Sequence, residues 1–239
     1  MPGPTLASKV YTIVRRRILN GELPPGQHMS RRRVATEMRT SMPPAAAALQ
    51  RLEFEGLLVS RPRAGTRVRV PSPADVLEHF VVREALETAA AMRAALTASA
   101  VELKRLEALA RRVDELGVKG DVKLYSSLHR RFHRGIAAAS HCAALQDAVD
   151  QCLAFTALWL THNRQPFPTG PNTLHQEIVE AISSRDAGKA AEAVRKHLAA
   201  ANAHAVEALP SPEPRLAWRL VRKRPQNRRP AYRPGQEAR

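Results

Sequence analysis

The stretch from residue 72 to 209 most constrains the fold. Its apolar residues recur at helical spacing throughout. The spacing predicts six helices, at 74–97, 100–116, 119–140, 142–163, 171–184 and 186–208, punctuated by Gly117, Gly120, Pro166, Pro168, Gly170 and Pro171. Asp186 is placed to cap the last of them. Alanine is abundant and aromatic residues make up only 4% of the chain, which suits closely packed helices better than a β-sandwich. No repeat of fixed period is visible.

Four histidines fall in these helices. His129 and His133 are four residues apart and share one helix face. His175 and His197 sit in two later helices, within LHQEIVEAI and AAEAVRKHLAAA. Three helices can therefore bring four imidazoles to one point, as a metal site requires. A lone histidine is more often structural than a ligand, so the convergence of four matters more than any one of them. His28, His79, His141, His162 and His204 are given no such role.

The first 71 residues read differently. Leu6, Val10, Ile13, Val14, the stem of Arg17 and Ile18 form one helical face. NGELPPGQHM is a turn. Ser30 can cap a short helix with Val34, Ala35 and Met38 inward, and Ser41 can cap a third helix. Pro43 and Pro44 fall in its first turn, where a missing N–H costs little, and Ala45, Ala48, Leu49 and Leu52 form its inward row, ending near Gly56. LLVSRPRAGTRVRV alternates and turns at Ala64-Gly65, a hairpin. Helix, helix-turn-helix and hairpin make a winged helix. The expected fold is mostly α, an N-terminal winged helix-turn-helix plus a C-terminal bundle of about six helices. The domains are 1–71, 72–209 and a tail, 210–239, with PSPAD (71–75) as linker.

Charge divides along the same lines. Residues 1–71 carry +9, 72–209 are neutral and 210–239 carry +7, out of a net +16. A basic head and a basic tail point to polyanion contact at the ends only. The tail, rich in Pro, Arg and Gln, lacks the apolar density for a core and is expected to be disordered, with LAWRLVR (216–222) as a transient basic helix. No apolar run reaches the ~20 residues needed to span a membrane, and MPGPTLASKVYTIVRRR has no signal-peptide core. With Cys142 and Cys152 read as reduced thiols, the expected location is cytoplasmic and nucleoid-associated.

The first segment resembles the winged helix of GntR-family bacterial regulators, through VYTIVRRRILNGELPPGQHMS and ALQRLEFEGLLVSRPRAGTRV. The remainder resembles the helical FCD effector domain of the FadR subfamily, through REALE (83–87), FHRGIAAAS (132–140) and HQEIVEAISSRDAGKAAEAVRKHL (175–198). The resemblance implies a homodimer on double-stranded DNA whose helical domain binds a divalent metal and a small carboxylate effector. It places His129, His133, His175 and His197 at the four ligand positions. It also places Arg83 near the pocket, either pairing with an effector carboxylate or forming an interhelical salt bridge, with Glu87 one candidate partner.

Two departures qualify it. Where the family reads close to SRTPVREAL, this chain reads SMPPAAAAL (41–49), so Met42 and Ala46 replace two DNA-contacting arginines. Neither can bond a guanine edge or a phosphate. Arg32 matches a family DNA-contacting position, and Arg31 and Arg33 are added charges. With Ser41, Arg51, Arg61, Arg63, Gly65 and Arg67 they make up the expected DNA contacts, strong in charge and poor in base reading. The other reading is an Ala-rich helix that has lost DNA binding. The second departure is His129, which stands where the family has Asp. Four imidazoles leave a divalent ion at +2 rather than +1, which favours an anionic further ligand and Zn or Ni over Mg or Ca.

Three functions follow. The first is a ligand-responsive regulator; the second is a non-specific nucleic-acid binder with an eroded recognition helix. The third is a metal-dependent enzyme, which needs an open coordination position and a general base. The only acid close in sequence to a histidine of the set is Glu177, which points to another face of its helix.

Overall fold

The structure, a computed structural model, describes residues 3–119, 122–163 and 174–207. The head comprises α1 (Leu6–Leu19), β1 (His28–Met29), α2 (Arg31–Glu37), α3 (Met42–Phe54), β2 (Leu58–Arg61) and β3 (Gly65–Val68). Thr5 caps α1 by accepting from the Ser8 amide, and Ser30 caps α2 by accepting from that of Arg33. Ser41 occupies the N-cap of α3 but makes no side-chain cap bond. The predicted inward row of α3 is buried throughout. Leu6, expected inward, is 59% exposed, because α1 meets its neighbours only from Val10 onward.

The hairpin is part of a three-stranded antiparallel sheet, in the order β1-β3-β2. The segment expected to be only a turn supplies β1, which pairs His28 with Arg67 and Met29 with Thr66. Two residues are too few to show an alternation. Gly65 is required here: its φ is +73°, and a Cβ would lie 2.7 Å from His28 Nε2.

Six helices follow: α4 (Pro73–Thr97), α5 (Ala100–Lys119), α6 (Val122–Ala139), α7 (Ala143–Asn163), α8 (Leu174–Ser183) and α9 (Ala187–Glu207). The expected linker is shorter than 71–75, since a reciprocal Ser72–Asp75 capping box starts α4 at Pro73. Gly117 does not end a helix; α5 runs through it to Lys119. Asp186 caps α9 as expected, accepting from the Gly188 and Lys189 amides. The basic tail lies outside the described residues, as does the start of the predicted 171–184 helix.

Helix α4 packs against α6, α7, α8 and α9. Small residues make this possible: Ala90, Ala91, Ala94 and Ala95 are buried on α4, with Phe132, Ile178, Ile182 and Leu198 filling the centre. The head has its own core around Val14, Ile18, Leu52 and Leu57, and this cluster also takes in Ala154, Ala157 and Leu158 of α7. Among the described residues, no helix is long and apolar enough to cross a membrane.

Candidate metal centre and nucleic-acid interface

Helix α6 places His129 and His133 on its inward face, α8 brings His175 and α9 brings His197. The four rings are buried and gather in one cluster. Centroids lie 4.4 Å apart for His129 and His133, 4.6 Å for His175 and His197, and 5.0 Å for His133 and His197. One nitrogen from each ring lies within 4.8 Å of all the others, and the Nε2 atoms of His129 and His133 are 3.1 Å apart. Ligands about 2.1 Å from a shared ion stand about 3.0–3.4 Å from one another when adjacent. The cluster thus sits a small contraction away from ligating geometry.

A buried carboxylate stands behind each of two rings. Glu87 Oε2 on α4 lies 2.5 Å from His133 Nδ1. Asp114 Oδ1 on α5 lies 2.5 Å from His175 Nδ1. Asp114 is itself held, its Oδ2 accepting from the Gln176 amide and side chain. An imidazole that gives its Nδ1–H to a carboxylate turns the lone pair of Nε2 the other way, into the cluster. His175 Nε2 and both nitrogens of His197 are buried with no hydrogen-bond partner. Orphaned buried acceptors are costly, and a cation among them removes the cost. The residues present therefore fit a divalent metal.

Electrostatics agree. Burial pushes His129 and His197 well below the ordinary histidine range, reinforced by neighbouring imidazoles and by Arg83. Burial lowers His175 too, against the pull of Asp114. These rings stay neutral, the form that ligates. Burial would raise the Glu87 carboxyl, but the charge of Arg83 and the contact with His133 hold it down to about 2. The +2 left by four imidazoles is thus not the whole charge: Glu87 and Asp114, behind the rings, cancel two charges, and Arg83 restores one.

A pH dependence follows for metal-free protein. A histidine held neutral in the fold takes up its proton only on unfolding, so its contribution is present above the unfolded value near 6.5 and is lost as pH falls below it. With His129 and His197 both well below the ordinary range, stability falls as pH is lowered from about 7.5 to about 5.5. Thermal unfolding in chelator at the two pH values checks this; equal midpoints would contradict it.

Arg83, the expected effector contact, is buried at the same centre. Its salt bridge is not interhelical: Nε donates to Glu87 Oε1 at 2.7 Å within α4. Its Nη2 is buried and has no hydrogen-bond partner. Glu177 is drawn off by Lys196 at 2.6 Å, so it offers the histidines no general base. Sequence spacing missed Glu87 as a histidine partner and missed Asp114 altogether, since each approaches from a helix that carries no histidine of the cluster.

In the head, Arg31, Arg32 and Arg33 are exposed on the first turn of α2. Arg33 is partly neutralised by Glu37 at 2.8 Å. Ser41, Arg61, Arg63, Gly65 and Arg67 are exposed at the start of α3 and on the wing, and Arg67 donates to the Gly26 carbonyl. Arg51 lies 3.9 Å over the Tyr11 ring, on the α1 side of α3. The outward face of α3 carries Met42, Pro43, Ala47, Gln50 and Phe54, with Phe54 89% exposed. Gln50, overlooked among the charges, is the side chain on that face able to pair with a base edge.

A winged helix joined to an all-helical domain with a buried polar centre is the build of a DNA-binding regulator. Residues 6–68 match the bacterial regulatory proteins of the gntR family, and residues 78–200 match the FCD domain. The chain belongs to the GntR family of transcriptional regulators and carries an FCD domain. It is 29% identical over 198 residues to the "Probable D-xylose utilization operon transcriptional repressor" of Paenarthrobacter nicotinovorans, covering 82% of this chain and 87% of that protein. It is 24% identical over 199 residues to the HTH-type transcriptional repressor RspR of Escherichia coli K12, with the same coverage. These relatives are regulators, not enzymes. The fold is that of E. coli McbR/YncC, with a TM-score of 0.74 at 18% identity over 86% of this chain and 99% of that one. A GntR protein from Rhodococcus sp. RHA1 gives 0.71 at 20% identity, over 85% and 99%.

Proposed function

We propose that this DNA-binding regulator senses a small carboxylate through a divalent transition metal, zinc or nickel, held by His129, His133, His175 and His197. The observation that carries this reading is the set of buried, unpartnered nitrogens on His175 and His197, facing His129 and His133, the latter in contact with Glu87. Arg83 Nη2, unpartnered beside the same centre, supports a carboxylate as the effector. Reader, sensor and tail divide at 71/72 and 209/210 in this proposal, and the protein works in the cytoplasm on the nucleoid. Arg31, Arg32, Arg33, Ser41, Arg51, Arg61, Arg63, Gly65 and Arg67 form its DNA surface, with phosphate contact outweighing base reading. Titration of chelator-treated, tag-free protein with zinc and nickel tests the centre. One ion per chain is expected, and no uptake of either would end this reading.

A homodimer is part of the proposal. Helix α4 exposes Val81 (72%), Val82 (47%), Met92 (39%) and Leu96 (68%) along one side. Glu78 and Glu84 lie exposed in its N-terminal half and Arg93 in its C-terminal half. Antiparallel pairing of two copies of α4 brings the unlike charges together and covers the apolar seam. Wild type is expected to sediment as a dimer at micromolar concentration and Val81→Glu with Leu96→Glu as a monomer. A monomeric wild type contradicts the dimer; a dimeric double variant contradicts this seam.

A further inference from the structure

Asp150, on α7, lies among three guanidinium groups. Arg15 of α1 donates from Nη2 to its Oδ2 at 2.8 Å and to its backbone carbonyl at 3.3 Å. Arg134 Nε of α6 stands 3.0 Å from its Oδ1. Arg130 of α6 is half-buried nearby, where the charges of Arg15 and Arg134 oppose it and Asp150 supports it. Arg15 continues the chain toward DNA: its Nε donates to Glu55 Oε1 at 2.6 Å, and Glu55 Oε2 accepts from Tyr11. Glu55 is the C-cap of α3, the recognition helix. At the other end, Arg130 and Arg134 each directly follow a histidine of the cluster, His129 and His133.

An ionic path thus runs from α6, at the position next to His133, through Asp150 and Arg15 to the end of α3. Much of it is shielded from solvent, with Arg15 and Glu55 side chains only 12% and 4% exposed, so salt screens it weakly. Three guanidiniums meet two carboxylates here. Removing Asp150 leaves three against one and takes away the carboxylate that joins Arg15 of the head to Arg134 of α6.

We infer that Asp150 is the positioning residue that transmits the setting of α6 to the recognition helix, so that occupancy of the histidine centre alters DNA affinity. This rests on reading the four histidines as a metal centre. A ligand set that contracted on binding would move α6, and the ion pairs would carry that shift to α1 and α3.

The test uses full-length protein and a duplex recovered by wild type from a random pool, with zinc chloride or with EDTA. Zinc is expected to change wild-type DNA affinity within the ~5- to 150-fold range of such couplings. Asp150→Asn should bind zinc within about twofold of wild type, yet show DNA affinities with and without zinc that agree within about twofold. Asp150→Glu should restore part of the response. If Asp150→Asn does not fold, Arg134→Gln, on the exposed arm of the path, decides instead and should also blunt the response. A folded Asp150→Asn or Arg134→Gln protein that keeps the full zinc response overturns the inference. So does a wild type whose DNA affinity ignores zinc. In that case direct zinc titration separates the two ideas: zinc uptake leaves the metal centre standing and removes only the coupling, while no uptake removes both.

Discussion

The full chain should unfold about 5–10 °C higher with zinc or nickel in hundredfold excess over its dissociation constant than in chelator. Binding to the folded state alone at that excess adds about 2.7 kcal/mol, and a chain of this size shifts by about 2–4 °C per kcal/mol. His175→Ala should remove most of the gain, since it deletes an inward nitrogen and leaves Asp114 buried without its imidazole. Glu87→Gln and Asp114→Asn keep all four imidazoles but loosen their orientation, and should each weaken affinity about 10- to 100-fold. His141→Ala, on an exposed ring paired with Glu102, should change nothing. Calorimetric titration beside scanning calorimetry reads all four. Equal affinities for His175→Ala and His141→Ala would remove the metal from this cluster.

Met42→Arg with Ala46→Arg should sharpen sequence preference while changing random-duplex affinity modestly. Both positions lie at the N-terminal end of α3, with Met42 exposed and Ala46 half-buried, so an arginine at either can reach outward. A bidentate arginine–guanine pair supplies ~1–3 kcal/mol of discrimination, so two supply ~2–6 kcal/mol if both read bases. Arg32→Ala should weaken every sequence alike, and Gln50→Ala should flatten what preference the wild type has. Selection from random duplexes with the four proteins side by side is the measurement. A wild type that recovers a sharp palindrome, lost in the double variant, would show that this head reads DNA through contacts other than these.

Most of the helices were legible because they carry an amphipathic period long enough to see, whereas α7 is buried almost all round from Cys152 to Trp159. The histidine cluster was legible for a related reason: helical spacing fixes which side of α6 His129 and His133 share. Strand β1 was not, since its two residues gain their structure from β3 rather than from any local pattern. Glu87 and Asp114 were hidden because neither sequence separation nor helix phase says which helices will stand behind an imidazole. Leu6 misled because a correct helical face can still overhang its partner. Gly117 misled because a glycine inside a helix costs only about 1 kcal/mol, which packing of a buried helix can outweigh.

The sharing of α7 has an evolutionary corollary. Part of the apolar interior beneath α1 and α3 is supplied by Ala154, Ala157 and Leu158, more than seventy residues beyond the wing. A recombination event that joined this reader to another sensor at residue 72 would deliver a different α7 surface to the same hollow. Readers and sensors of this design are thus not interchangeable cartridges. Compatibility is written in a helix that belongs, by sequence order, to the other half, so that change in either half is answerable to the other.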